Sequence, residues 1–151
     1  MLAGNAAARK KTAKTAADQW IALQTVEPEA QCSLGIAYHA AFELMRKMGG
    51  EDHFHTLAAA VNIAGRFCEI GIGDEYAAEV ESAIGALNRV RERALARGRW
   101  ALDGPGLAQV ARALEVHDAQ LAVATYGELR AAINEVMRRN DAAHESERLA
   151  A

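Results

Sequence analysis

Apolar side chains recur every three to four residues along most of this chain, which is the spacing of amphipathic helices. The first long stripe follows a proline and stops at two glycines, so the sequence predicts a helix from about Pro28 to Met48. A short turn of helix over residues 18–24, anchored by Trp20, is expected before it. The residues of the long stripe, expected to face the core, are Leu34, Ala37, Ala41, Leu44, Met45 and Met48.

Two further helices follow the same logic. Acidic residues open the segment from about Glu51 to Ile70, whose apolar side chains occupy two opposite faces and predict a central position. The next helix is expected from about Asp74 to Gly98 and carries a heptad seam. That seam comprises Tyr76, Val80, Ala83, Leu87, Val90 and Ala94. The glycines and proline of residues 98–106 then predict a loop, clamped onto the core by Trp100 and Leu102.

The segment from residue 104 onward allows two interpretations. A helix–turn–helix would break near residues 115–117, with Asp118 capping the second helix. The alternative is one helix from about Pro105 to Arg139, roughly 50 Å long at 1.5 Å per residue. We favour the single helix because the apolar positions keep one phase across the supposed turn. These positions are Leu107, Val110, Ala111, Leu114, Leu121, Thr125, Leu129, Ala132 and Val136.

These elements predict an all-α protein, an antiparallel four-helix bundle with short connections and a long C-terminal helix. A hydrophobic fraction of 51% with only 5% aromatic residues agrees, since much of that fraction is alanine, the best helix former. Residues 1–17 are expected to be a flexible basic arm, residues 18–139 a single domain and residues 140–151 a disordered tail.

Composition argues against several classes of protein. The two cysteines are far apart and lack metal or redox spacing, which indicates reduced thiols in the cytoplasm. No apolar run approaches the roughly 18 residues of a membrane span. The three serines lie in no nucleophile-elbow motif. We therefore expect a soluble protein without a cofactor or an enzymatic activity, and with no membrane partner.

Charge is distributed unevenly along the chain, although its net value is only −3. Residues 1–14 carry a net +4, residues 15–84 a net −8, residues 85–139 a net +3 and residues 140–151 a net −2. Such separation suits docking to a charged macromolecule or to a second copy. The basic side chains that could contact nucleic acid are Arg9, Lys10, Lys11, Lys14, Arg89, Arg93 and Arg97.

Polar residues on the packing faces suggest a buried network or a small polar pocket. We expect Asp118 or His117 to meet Arg66 or Asn62 between neighbouring helices. The full set is His55, Asn62, Arg66, Glu69, His117 and Asp118.

A metal site has weaker support. His53 and His55 in EDHFH are the best candidates, but the spacing supplies no convergent set of three or four ligands.

Three segments, HFHTLAAAVNIA, GRWALDGPG and VHDAQL, resemble a family of small uncharacterised helical proteins of bacteria and their mobile elements. Some members are labelled Fis-like regulators, which implies a C-terminal DNA-reading helix. Residues 122–151 do not resemble such a helix.

The leading hypothesis is a non-enzymatic regulator or adaptor that binds a protein partner or dimerises. A DNA-binding regulator is the first alternative, and a metal-binding bundle is the second. The residues expected at the protein interface are Leu121, Leu129, Ile133, Val136 and Met137.

Overall fold

The computed structural model describes residues 15–151, and this part of the chain is all-helical, as predicted, with no β-strand. A short 3-10 turn, Asp74–Tyr76, precedes the fourth of six α-helices. The helices are α1 Thr15–Ala22, α2 Pro28–Lys47, α3 Glu51–Glu69, α4 Ala77–Arg97, α5 Gly104–Val123 and α6 Tyr126–Ala150. The predicted bounds of α2 and α3 are confirmed to within one residue. Gly98 follows the last residue of α4 as its C-cap, as predicted, but α4 begins at Ala77 and not near Asp74, because residues 74–76 form the 3-10 turn.

Helix α3 lies at the centre of the fold, where it contacts α2, α4, α5 and α6. Leu57, Val61, Ala64 and Phe67 have no exposed surface. The prediction of a central helix with two apolar faces is therefore confirmed, because a helix enclosed by four others must be apolar on more than one side.

The C-terminal segment is neither of the two predicted structures. Residues 115–118 lie inside α5, so the expected turn of a helix–turn–helix is wrong. The single helix from Pro105 to Arg139 is also wrong, because Ala124 is extended (φ −69°, ψ 150°) and ends α5. Thr125 then starts α6 with a capping box. Its hydroxyl accepts a bond from Glu128 N (3.2 Å), and Glu128 Oε2 accepts one from Thr125 N (2.8 Å).

The linker between α1 and α2 stabilises this break from outside. Val26 N donates to the carbonyl oxygen of Ala124 (3.0 Å), and Tyr126 N donates to that of Gln24 (2.9 Å). The two linkers thus form a small antiparallel bridge at Thr25 and Thr125. Val26 and Ala124 are both buried, so their main-chain groups are away from water and need partners. The bridge supplies these hydrogen bonds at the break.

The loop between α4 and α5 closes over the α2–α3 connection. A side chain at Gly49 would place its Cβ only 1.6 Å from the carbonyl oxygen of Trp100, so this close approach requires glycine. The Trp100 ring lies 4.9 Å from that of Phe54, and Leu102 is buried. The predicted clamp by Trp100 and Leu102 is confirmed.

The two ends of the chain differ from the sequence prediction. Residues 1–14 of the predicted arm lie outside the described residues, and residues 15–17 belong to α1. Trp20 is 65% exposed, so it is not the anchor that was expected. Residues 140–150, predicted to be a disordered tail, continue α6. Within residues 15–151, no helix has the length and apolarity needed to cross a membrane.

Candidate functional site

Helix α2 is rotated relative to the predicted orientation. The side chains that it buries are Tyr38, Ala41 and Met45. Four members of the predicted core stripe are instead exposed: Ala37, Leu34 (by 39%), Leu44 (by 44%) and Met48 (by 81%). The prediction is confirmed for Ala41 and Met45 and wrong for the other four members, because the Tyr38 ring beside Ala41 and Met45 fills the space against the core.

The rotation leaves an uncharged surface on the flank of α2, which we call the α2 strip. It consists of the exposed residues Ser33, Leu34, Ala37, Ala40, Leu44 and Met48. A quarter of all residues in the chain are charged, yet this surface carries no charge along nearly the whole helix. Depletion of charge around exposed apolar side chains is typical of the centre of a protein interface.

A groove of about 300 Å3 opens beside the Leu34 end of this strip. Helices α2, α3, α5 and α6 form its walls, and alanines on α2 and α3 make room for it. We call it the His117 groove. Its lining residues are Leu34, Ala37, Tyr38, Thr56, Ala59, Ala60, Ile63, His117, Leu129 and Ile133.

His117 is the most buried polar side chain of this groove, with 3% of its surface exposed. Its ring lies 5.3 Å from that of Tyr38 and 6.0 Å from that of Phe67. Burial lowers the pKa of His117 to about 4, although the Gln120 side chain and the Asp118 charge oppose the shift. The imidazole is therefore neutral at pH 7, and its Nδ1 has no hydrogen-bond partner among the described residues.

Asp118 connects α5 to α2. It accepts a hydrogen bond from the hydroxyl of Tyr38, and its Oδ2 lies 2.9 Å from His39 Nε2. Burial, together with this bond to Asp118, raises the pKa of the Tyr38 hydroxyl. The expected contact of Asp118 or His117 with Arg66 or Asn62 is absent from the contacts of the described residues. Tyr38 and His39 were not among the predicted site residues.

Arg66 and Asn62 instead line a separate cleft of about 130 Å3 between α3 and α6. Glu69 accepts hydrogen bonds there from Arg139 (2.9 Å) and Arg66 (2.8 Å). These bonds, the one from Arg139 first, lower the pKa of Glu69 to about 2. Glu135 also accepts a hydrogen bond from Arg139 (2.8 Å), so the cleft holds a surface ion network in which each of these charges has a partner.

The last member of the predicted polar set, His55, is exposed, and its Nε2 lies 3.5 Å from Glu51 one turn earlier. The six residues of that set therefore lie at three separate places.

The metal candidates do not converge. His53 is half-buried, with no hydrogen-bond partner for its Nδ1 among the described residues, whereas the exposed His55 lies beside Glu51. In residues 15–151 no three His, Cys, Asp or Glu side chains are arranged to hold a metal ion.

The basic residues of α4 make bonds within the chain. Arg89 donates to Gln109 (3.0 Å), and Arg93 donates to the carbonyl oxygen of Ala101 (2.9 Å) and lies 3.7 Å from Asp103. Arg97 is exposed. The four basic residues of the N-terminal arm, Arg9, Lys10, Lys11 and Lys14, lie outside the described residues.

The predicted interface residues mostly lie in the core. Leu121, Leu129 and Val136 are buried, Ile133 is half-buried, and only Met137 is well exposed. The prediction was wrong for the buried three because Leu121 lies on α5, which packs on α3, and Leu129 and Val136 lie on α6, which folds back onto α3 after the break at Ala124. The sequence contained a signal for the exposed surface of α2. This helix has more apolar residues, at spacings of three and four, than one core-facing stripe needs, so some of them had to lie outside the core.

Comparison with known proteins gives no match: no family model, curated protein or solved structure corresponds to this chain. Functional inference therefore depends on the α2 strip.

Proposed function

We propose that this protein is a non-enzymatic regulator that works by binding protein through the α2 strip, with a second copy of the chain as the partner. In this proposal, the antiparallel bundle predicted from the sequence holds α2 in place, so that its strip faces outward. The observation that supports the proposal is the exposure of Leu34, Leu44 and Met48 on an uncharged helix flank. Burying the surface that these side chains still expose would contribute roughly 1 kcal/mol for each leucine and about 2 kcal/mol for Met48, before the cost of association.

The size pattern of the strip favours a second copy, because a two-fold interface must be complementary to itself. Ala37 and Leu44 lie about 5 Å on either side of a point between Ala40 and Ala41, given a rise of 1.5 Å per residue. In an antiparallel pair centred there, each Leu44 lies opposite the partner's Ala37. Each Met48 then lies opposite Ser33, so these two large side chains meet small ones, while Leu34 lies opposite the aliphatic stem of Lys47 at the edge of the strip.

The absence of charge also favours this arrangement. A like charge brought against its own copy would oppose association, and no such charge lies on the strip. The alternative of DNA binding has less support, since Arg89 and Arg93 bond to groups of the same chain and residues 115–118 form no turn.

The test is the molar mass in solution, measured by size-exclusion chromatography with light scattering over a range of protein concentrations. The wild type is expected to show twice the chain mass of 16.2 kDa. Leu44→Glu and Met48→Glu are each expected to shift the dimer to monomer, because each places a charge opposite an apolar surface. Leu95→Glu is the matched control, since Leu95 is an exposed leucine on α4, and it should remain dimeric.

Three outcomes would overturn the proposal. One is a wild type that stays monomeric at every concentration. A second is a dimer that dissociates with Trp20→Lys on α1 but persists with Leu44→Glu, which would place the interface at the exposed Trp20. The third is a monomer that binds a short DNA duplex and releases it as salt rises, which would favour the nucleic-acid hypothesis.

A further inference from the structure

We propose that Met48 is an oxidation-sensitive residue of the α2 strip, and that conversion of its thioether to the sulfoxide separates the two copies. This inference rests on the proposed function, because it takes the α2 strip as the surface between the copies. It adds a regulated state of that surface, in which a covalent change at one side chain decides between dimer and monomer.

Among the described residues, Met48 is the methionine that a dissolved oxidant reaches most easily. Its exposed fraction is 81%, against 58% for Met137 on α6 and 0% for Met45, one turn earlier on α2. Met48 is the C-cap of α2, and the two residues that follow it are glycines, which have no side chains to cover its sulfur. In the free protomer this thioether is therefore accessible to peroxide, whereas that of Met45 is not.

The modification is the transfer of one oxygen atom from a peroxide to sulfur. A lone pair of the Met48 sulfur attacks one oxygen of hydrogen peroxide, and the O–O bond breaks. That oxygen stays on sulfur as the sulfoxide, and the other leaves as water with both hydrogens. Sulfur is oxidised by one electron pair and the peroxide is reduced by the same pair, so no further reactant is needed.

Oxidation changes what Met48 offers the partner copy. A thioether is apolar and flexible, whereas a sulfoxide oxygen is a polar acceptor that water solvates well. In the antiparallel pair it would lie opposite the partner's Ser33, whose hydroxyl is a single donor, and the rest of the strip is aliphatic. The other hydrogen bonds that water gives to this oxygen would be lost. Because the pair contains this contact twice, we expect oxidation to raise the dissociation constant at least about 10-fold.

Association should in turn protect the sulfur. The strip is covered in the dimer, so peroxide reacts with Met48 in the dissociated protomer, and the sulfoxide then opposes re-association. Oxidation of Met48 should therefore slow as the protein concentration rises. Met137 lies outside the α2 strip, so its oxidation rate should not depend on the protein concentration.

The experiment treats the full chain with hydrogen peroxide and then with dithiothreitol. Dithiothreitol reverses sulfenic acid and disulfide formation at the exposed Cys32 but does not reduce sulfoxides. Peptide mass spectrometry measures the oxygen added at each methionine, and light scattering measures the molar mass. We expect the dimer to become monomer in proportion to the oxidation of Met48, with an unchanged helical circular dichroism spectrum. Methionine sulfoxide reductases should restore the dimer.

Two variants assign the effect to one residue. Met48→Leu has a side chain of similar volume that forms no sulfoxide, so its dissociation constant, whatever its starting value, should be the same before and after peroxide. Met137→Leu is the matched control, since it removes the other exposed methionine of the described residues, and it should dissociate on oxidation as the wild type does.

The inference is overturned if the wild type stays dimeric with Met48 fully oxidised, or if Met137→Leu protects the dimer and Met48→Leu does not. Dissociation that dithiothreitol alone reverses would assign the effect to Cys32 and overturn it as well. A wild type that is monomeric before any peroxide is added overturns both proposals. A dimer that survives oxidation of Met48 overturns only this one, so the two failures are distinguishable.

Discussion

Gln120 of α5 donates a hydrogen bond to the main-chain carbonyl of Ile72, with 2.8 Å between Nε2 and the carbonyl oxygen. The same nitrogen lies 3.1 Å from the carbonyl oxygen of Ala64 on α3. Gln120 is 2% exposed, so it joins the loop after α3 to α5 from inside the core. A buried amide with two main-chain acceptors fixes the position of this loop more narrowly than apolar contacts alone.

Replacing Gln120 by leucine is expected to lower the free energy of unfolding by about 1–3 kcal/mol, because the half-buried carbonyl of Ile72 and the buried carbonyl of Ala64 would both lose this donor. Urea unfolding followed by circular dichroism measures the change. Gln109→Leu on the same helix is the control, since Gln109 bonds only to the exposed Arg89, and it should stay within about 0.5 kcal/mol of wild type. Equal losses in both variants would contradict a special role for Gln120.

The burial of His117 predicts a loss of stability in mild acid. Its pKa is about 4 in the folded protein against an ordinary value of 6.5, so the unfolded chain binds more protons between these values. The stabilisation is complete above pH 6.5 and falls as the pH drops toward 4, by about 3 kcal/mol in total. Urea unfolding at a series of pH values measures this slope.

His117→Phe provides the comparison for that slope. The variant has no imidazole, so its stability should fall less than that of wild type between pH 6.5 and 4.5. The carboxyl of Glu69 has a pKa near 2 in the folded protein against an ordinary 4.5, so its stabilising effect falls only below about pH 4.5 and does not obscure this range. Parallel pH profiles of the two proteins would show that His117 is not buried in its neutral form.

Two glycines inside the fold should respond to alanine in opposite ways. Gly49→Ala would bring a Cβ to 1.6 Å from the Trp100 carbonyl oxygen and should destabilise the protein by about 1–3 kcal/mol or more. Gly85→Ala on α4 meets only Arg89 Nη1 at 3.5 Å and should stabilise by about 0.5–1 kcal/mol, through helix propensity. Thermal unfolding of both variants measures the contrast. A neutral Gly49→Ala would mean that the α4–α5 loop does not close over this turn.

The start of α6 depends on the capping box at Thr125. Thr125→Ala removes the acceptor for Glu128 N and should cost about 1 kcal/mol of stability. Thr125→Ser keeps a hydroxyl at the same place and should cost much less. Hydrogen exchange of the first amides of α6, together with chemical unfolding, distinguishes the two. If serine were as damaging as alanine, the methyl group rather than the hydroxyl would be what holds the break.

The sequence contained a signal for the break between α5 and α6, but the regular spacing of apolar residues hid it. Apolar positions keep their phase from Leu107 to Val136, which favoured one helix. The spacing of Thr125 and Glu128 is that of a capping box, and it marks where the helix restarts. The spacing of apolar residues shows which side of a helix faces the core. When two successive helices face the core with the same side, as α5 and α6 do, that spacing continues across the break and does not reveal it.

The sequence by itself determined the helical class, the bounds of α2 and α3, the end of α4 and the central place of α3. These follow from local rules, because periodicity, glycine stops and acidic starts act within a few residues of the chain. The loop clamp by Trp100 followed in the same way.

Only the tertiary structure decided which of two adjacent apolar stripes α2 buries, that Asp118 meets Tyr38 and His39, and that Leu121, Leu129 and Val136 lie inside. Each of these depends on the shape of the space between helices that are distant in sequence. Tyr38 and Met45 fill that space, so Leu34, Leu44 and Met48 remain outside. Close packing allows one stripe at the core, and the pattern of a single helix does not contain the shape of its neighbours.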